Sequence, residues 1–131
     1  MLSKTTLPAY LHPLMGKPSL KMNRCAVCGK AYPLNQHHIV RRGAGKLFND
    51  RGEVKKPTIT LCGNGNASGC HGLAHQGRLF FRWAESSKKP TDSLKSRYTP
   101  QGGHWEYLLT EEPMKAFDAL QVKEGWKRCG R

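Results

Sequence analysis

Apolar positions in this chain come in short bursts, each cut off by glycine, proline or charge. Two bursts have strand character. Asn35-Gln36-His37-His38-Ile39-Val40 gains β-branched residues toward its end, and Thr58-Ile59-Thr60-Leu61 is a compact β-branched run. From His71 to Trp83 the spacing turns helical. Leu73, Leu79, Phe80 and Trp83 can share one apolar side, and His71 and His75 lie one turn apart on the same side. His104–Thr110 reads as a further strand. Thr110-Glu111-Glu112-Pro113 then opens a helix with Thr110 as N-cap, acids in the first turn, and Met114, Phe117, Leu120 and Val122 as its buried stripe.

The intervening segments are polar or broken. Residues 1–24 are Pro-rich and basic without clear periodicity, and predict an extended arm docked through Leu11, Leu14 and Leu20. Arg41–Lys46 is a basic, glycine-containing turn, 47–57 a polar loop, 63–69 a loop of small residues, and 84–103 loop-like. The pattern predicts one mixed α+β domain in three parts: the arm at 1–24, a core at 25–83, and a strand/helix extension at 84–131 packed on that core. A 131-residue chain buries a modest core and gains from a metal staple.

Charge narrows the partners. The chain carries 22 Lys/Arg against 9 Asp/Glu, a formal charge of +13. Residues 1–79 hold 12 of those cations and only 2 of the acids, so the positive field centres on the first two parts. Such a field draws polyanions. No stretch approaches the roughly 20 apolar residues of a membrane-spanning helix, and the first twenty residues, broken by Pro8, Pro13 and Pro18, lack the apolar run of a secretory signal. A cytoplasmic location is expected, where five cysteines read as metal ligands plus one spare rather than as disulfides.

The cysteines and histidines are themselves patterned. They read Cys25-x2-Cys28, His37-His38, then Cys62-x7-Cys70-His71-x3-His75. Two cysteine pairs joined by a longer excursion are the layout of a closed structural zinc site. The histidines are then surplus to that zinc and available for other work. Cys129 is an odd terminal thiol with no assigned role, and His12 and His104 stand apart as ordinary residues.

The string HHIV…ITLCGNGNASGCHGLAH resembles the HNH endonuclease consensus in its cysteine-bearing form, and its Gly-rich insert is similar to bacteriophage versions. The likeness covers about residues 25–83. It implies a zinc-bound ββα-metal, treble-clef-like core. Cys25, Cys28, Cys62 and Cys70 would hold a structural Zn2+. His37 and His71, with His75 as third ligand or phosphate contact, would hold a catalytic divalent ion such as Mg2+, Mn2+, Ni2+ or Zn2+. His38 would be the general base, and Arg41, Arg42 and Lys46 would grip the backbone of double-stranded DNA. One departure stands out. The family has an Asn shortly before the second cysteine pair, where this chain has Pro57 or Thr58.

The implied activity is hydrolysis of DNA phosphodiesters, as a nicking monomer or a double-strand-cutting homodimer, in a bacterial host cell if phage-encoded and with no membrane partner. Two other functions use the same residues. One is a non-catalytic zinc-knuckle DNA-binding protein, which has no use for a free imidazole at His38. The other is a scaffold docking onto a phage packaging or assembly machine, which has no use for the Arg41-Arg42 turn.

Overall fold

The central strand of the molecule is also its most buried. In the computed structural model, which describes residues 5–85 and 103–130, β1 (Leu34–His38) leads through a small hairpin of β2 (Phe48–Asn49) and β3 (Gly52–Glu53) into β4 (Thr58–Cys62). β1 and β4 pair antiparallel, with His37 opposite Ile59 and His38 opposite Thr58. Ile59 and Leu61 are fully buried. On the other edge of β4, Leu20 donates its N–H to Thr58 O at 2.9 Å and accepts the Thr60 N–H at 3.1 Å. Side chains alternate across a strand, so Asn35 and His37 share a face with Ile59 and Leu61, and Gln36 and His38 share the opposite face with Thr58 and Thr60.

Helix α1 (Gly69–His75) follows, and then an antiparallel sheet of β5 (Leu79–Glu85), β6 (Gly103–Leu109) and, after the single-turn α2 (Ala116–Ala119), β7 (Lys127–Arg128). The result is a small α+β fold with few helices and short sheets. One apolar cluster joins Ile59 and Leu61 of β4, Cys70 of α1, Leu79 and Phe81 of β5, and Trp105 of β6.

Two predicted helices are shorter than expected. The helix from His71 stops at His75, and Leu79, Phe80 and Trp83 belong to β5. The Gly77 N–H bonds to Ala74 O at 3.2 Å and the Arg78 N–H to Leu73 O at 3.0 Å, with Gly77 at φ +76°. That pattern is a Schellman ending, in which a left-handed residue closes the last turn. The helix expected from Thr110 begins at Ala116 instead, and its predicted stripe fails at Phe117, which is 51% exposed. Tertiary bonds hold the earlier residues in a turn: Thr110 N–H to Arg78 O at 2.8 Å, and Met114 N–H to Gly77 O at 2.8 Å. Pro113 in addition has no N–H to give a helix.

The N-terminal segment is built into the core. Ala9–Leu14 coils as a short 3-10 helix in place of the extended chain expected, and Leu7, Leu11, Leu14 and Met15 are buried. The indole N–H of Trp105 reaches back to Pro18 O at 2.7 Å. Within the polar loop at 47–57, β2 and β3 form their hairpin. Of the stretch read as a loop at 84–103, Ala84, Glu85 and Gly103 are strand residues, and 86–102 lie outside the described residues. Among the described residues no helix is long and apolar enough to cross a membrane.

Candidate metal centres

Four cysteines converge from three elements. Cys25 and Cys28 sit on a tight turn closed by Cys25 N–H to Lys30 O at 2.8 Å and Gly29 N–H to Cys25 O at 3.0 Å. Cys62 ends β4, and Cys70 lies in the first turn of α1. Their Sγ atoms all lie within 4.8 Å of one another, with Cys28 and Cys62 at 3.5 Å. Sulfurs bonded at about 2.3 Å to a tetrahedral zinc stand about 3.8 Å apart, so the cluster has the right size and donor set for zinc. Backbone N–H groups of Val27 and Cys70 point at Cys25 Sγ and Cys62 Sγ, each at 3.4 Å, and such bonds favour thiolates. A hydrogen bond from the Cys70 thiol holds Cys25 well below the usual thiol range, against the opposing effect of burial, and the same proton pushes Cys70 up. Cys28 alone of the four is exposed. Cys129 is buried outside the cluster, its thiol pushed up to about 12 by burial and by the neighbouring Cys25 and Glu106.

A second cluster joins His37 on β1 to His71 and His75 on α1, with one ring nitrogen of each within 4.8 Å of the others. Ring centroids are 5.0 Å apart for His37 and His71 and 5.3 Å for His37 and His75. The i, i+4 spacing stacks His71 and His75 on one side of the helix, with their Nε2 atoms 3.1 Å apart. Two nitrogens bound at about 2.0–2.1 Å to a tetrahedral ion stand about 3.3 Å apart. His71 Nδ1–H donates to the Gly65 carbonyl at 2.6 Å, which turns its Nε2 lone pair toward His75. Burial first, then the imidazoles of His71, His75 and His38, lowers His37 to about 3; His75 is lowered by burial, His71 and Arg41. His37 is therefore neutral at pH 7 and free to ligate. The donors fit a borderline divalent ion and leave coordination positions open.

The loop between Cys62 and Cys70 ties the two clusters together. It supplies the Gly65 carbonyl to one and sets the spacing of the other. Its ends are pinched: a methyl on Gly69 would lie 2.5 Å from Cys62 O, and Gly69 sits at φ +66°. The Asn35 side-chain amide donates to Gly63 O, so β1 braces the loop that orients His71.

The remaining expected site residues lie outside the cluster. His38 is the last residue of β1 and lies on the face opposite His37, beside Thr58. Arg41 and Arg42 begin a short 3-10 turn whose carbonyls both accept from Lys56 Nζ, at 3.0 and 2.9 Å. The charge on Arg41 is among the influences that lower His75, after burial and His71. Lys46 pairs with Glu53 at 3.9 Å. The carbonyl of the fully buried Pro57, where the resemblance would have an Asn, accepts the Ile39 N–H at 3.0 Å and pins the chain just after His38. Asn49 lies on the β2–β3 hairpin, where its side chain accepts the Arg51 N–H at 2.9 Å. Gly65, Asn35 and Lys56 had no distinguishing signal in the sequence: Gly65 acts through its backbone carbonyl, and Asn35 and Lys56 through contacts 28 and 14–15 positions away.

No family model, curated protein or solved structure matches the chain.

Proposed function

We propose that the chain is a metal-dependent DNA endonuclease of the HNH, ββα-metal type. The observation that carries this reading is the convergence of His37, His71 and His75 within 4.8 Å, separate from a complete four-cysteine cluster. A structural zinc needs only the cysteines. A second set of three neutral-capable imidazoles is a set of ligands in search of a different ion, with positions left open for a substrate. Support also comes from the order strand, strand, helix around the cluster and from the cation-rich first part of the chain.

On this reading Cys25, Cys28, Cys62 and Cys70 hold a structural Zn2+, and His37, His71 and His75 hold the catalytic ion. That ion, when bound, supplies positive charge where the phosphate and the leaving 3′-oxygen become negative. His38 takes a proton from water as the water oxygen forms its bond to phosphorus and the P–O3′ bond breaks. Arg41 and Arg42 hold the flanking backbone as cations in a turn fixed by Lys56. Lys46 adds to the field, diminished by Glu53. The partner is double-stranded DNA.

One observation favours a second reading. His38 leaves β1 on the opposite face from His37, so it serves as base only by reaching around the end of the strand. If it does not, the chain is a non-catalytic zinc protein that binds DNA. Cleavage of supercoiled DNA by the wild type and by His38→Ala, with added divalent ions, separates the two.

A further inference from the structure

Among the described residues, Tyr32 is the most exposed large apolar side chain, at 81%, against 51% for Leu109 and for Phe117. Exposure of this kind usually goes with a mobile loop, but the backbone around Tyr32 is pinned on both sides. The Lys30 carbonyl accepts the Cys25 N–H at 2.8 Å, and the Pro33 carbonyl accepts the Gly63 N–H at 3.0 Å. The ring is thus presented from a rigid mount between the cysteine turn and β1, and its apolar area contributes nothing to the core.

The surroundings are cationic. Arg24 and Lys30 flank the turn, are exposed, and form no ion pair among the described residues. Residues 1–49 contain no Asp or Glu at all. A fixed aromatic ring beside uncompensated cations is the combination that holds single-stranded nucleic acid: the cations track phosphates and the ring takes the face of a base. In an intact duplex the faces of internal bases are covered by their neighbours, so such a ring engages an unpaired or terminal base.

Resting on the nuclease reading, we propose that Tyr32, with Arg24 and Lys30, is a stacking post for an unpaired DNA base on the strand that enters the histidine cluster. The preferred substrate is then DNA carrying unpaired bases, such as an overhang or flap, rather than uninterrupted duplex. Tyr32 and His37 are five positions apart, a reach of at most about 18 Å along extended chain. At 3.4 Å per stacked nucleotide, the stacked base lies within about five nucleotides of the attacked phosphate.

The test is equilibrium binding of the full-length, zinc-loaded protein, without other added divalent ions, to a blunt duplex and to the same duplex with a single-stranded extension. An aminopurine base in the extension reports stacking through quenching of its fluorescence. The wild type should bind the extended DNA more tightly and quench the probe. Tyr32→Ala should weaken binding to extended DNA by about 5- to 100-fold, the worth of one base–aromatic stack, and lose the quenching. Tyr32→Trp should restore both. Equal wild-type affinity for the two DNAs, with no quenching, would overturn this inference and leave the nuclease reading intact. Failure to bind either DNA would overturn the nuclease reading and this inference with it.

Discussion

The ring of His71 donates from Nδ1 to the backbone carbonyl of Gly65, six residues earlier, at 2.6 Å. Through that bond the glycine-rich loop between Cys62 and Cys70 governs both clusters: it fixes the tautomer of one histidine, and its length decides where Cys70 and His71 enter α1. A hydrogen bond from the other ring nitrogen to a carbonyl sets the orientation and basicity of a metal-binding imidazole.

The pinched base of that loop should accordingly be sensitive to substitution. Gly69→Ala puts a methyl 2.5 Å from Cys62 O at φ +66°, and should cost at least about 2 kcal/mol, lowering Tm by about 5–10 °C. Gly43→Ala is the control, since a methyl there meets nothing within 4 Å, and its effect should stay within about 0.5 kcal/mol. Thermal unfolding of the two proteins measures both. Equal Tm values would show that the loop is not clamped.

The cysteine cluster should be a folding site. Where a metal site is assembled only in the folded chain, its binding energy is folding energy. Stripping zinc with a strong chelator should abolish the cooperative unfolding transition and much of the circular dichroism, and zinc should restore them. Cys70→Ser should behave as the stripped protein does, whereas Cys129→Ser, buried outside the cluster, should keep its zinc. Unchanged circular dichroism after chelation would remove the structural role.

Glu106 on β6 gives a pH signature independent of the metals. Its carboxylate meets Arg82 at 2.8 Å and His104 at 3.1 Å. Burial raises its pKa, but the bonds and charges of Arg82 and His104 outweigh that and leave it below the ordinary 4.5. A carboxyl with a lowered folded pKa stabilises above its unfolded pKa, and that contribution disappears as pH falls through the folded value. Glu106→Gln should therefore cost about 1–2 kcal/mol at pH 7, and the difference from wild type should shrink as pH drops below 4.5. Denaturant unfolding at the two pH values measures it. A difference that is constant with pH would contradict the ion-pair account.

What was legible in the sequence was what is local. β4 carries its own β-branched signal, whereas the signal read for β1 sits on Ile39 and Val40, just past its end at His38; the cysteine pairs carry their spacing, and His71 and His75 declare one helical side at i, i+4. The end of α1 was misread because Leu79, Phe80 and Trp83 fit a period of 3.6 as well as a strand that buries Leu79 and Phe81; the left-handed Gly77 decided between them. The helix expected at Thr110 fails there because the backbones of Thr110 and Met114 are bonded to Arg78 and Gly77, more than thirty positions away in sequence. The Pro-rich beginning has no periodicity to read, since its order comes from partners on β4, β6 and Lys46. Contacts between distant segments leave no mark on either segment alone.

The histidine cluster makes the strongest functional claim, and its most direct test is cleavage of supercoiled plasmid by the zinc-loaded protein with Mg2+, Mn2+ or Ni2+ added, beside His38→Ala and His71→Ala. The account predicts nicked or linear product from the wild type, a rate at least ~100-fold lower for His38→Ala with DNA affinity retained, and ion-dependent cleavage lost in His71→Ala. Plasmid bound tightly but left uncut with every ion, or cut equally well by His38→Ala, would contradict it.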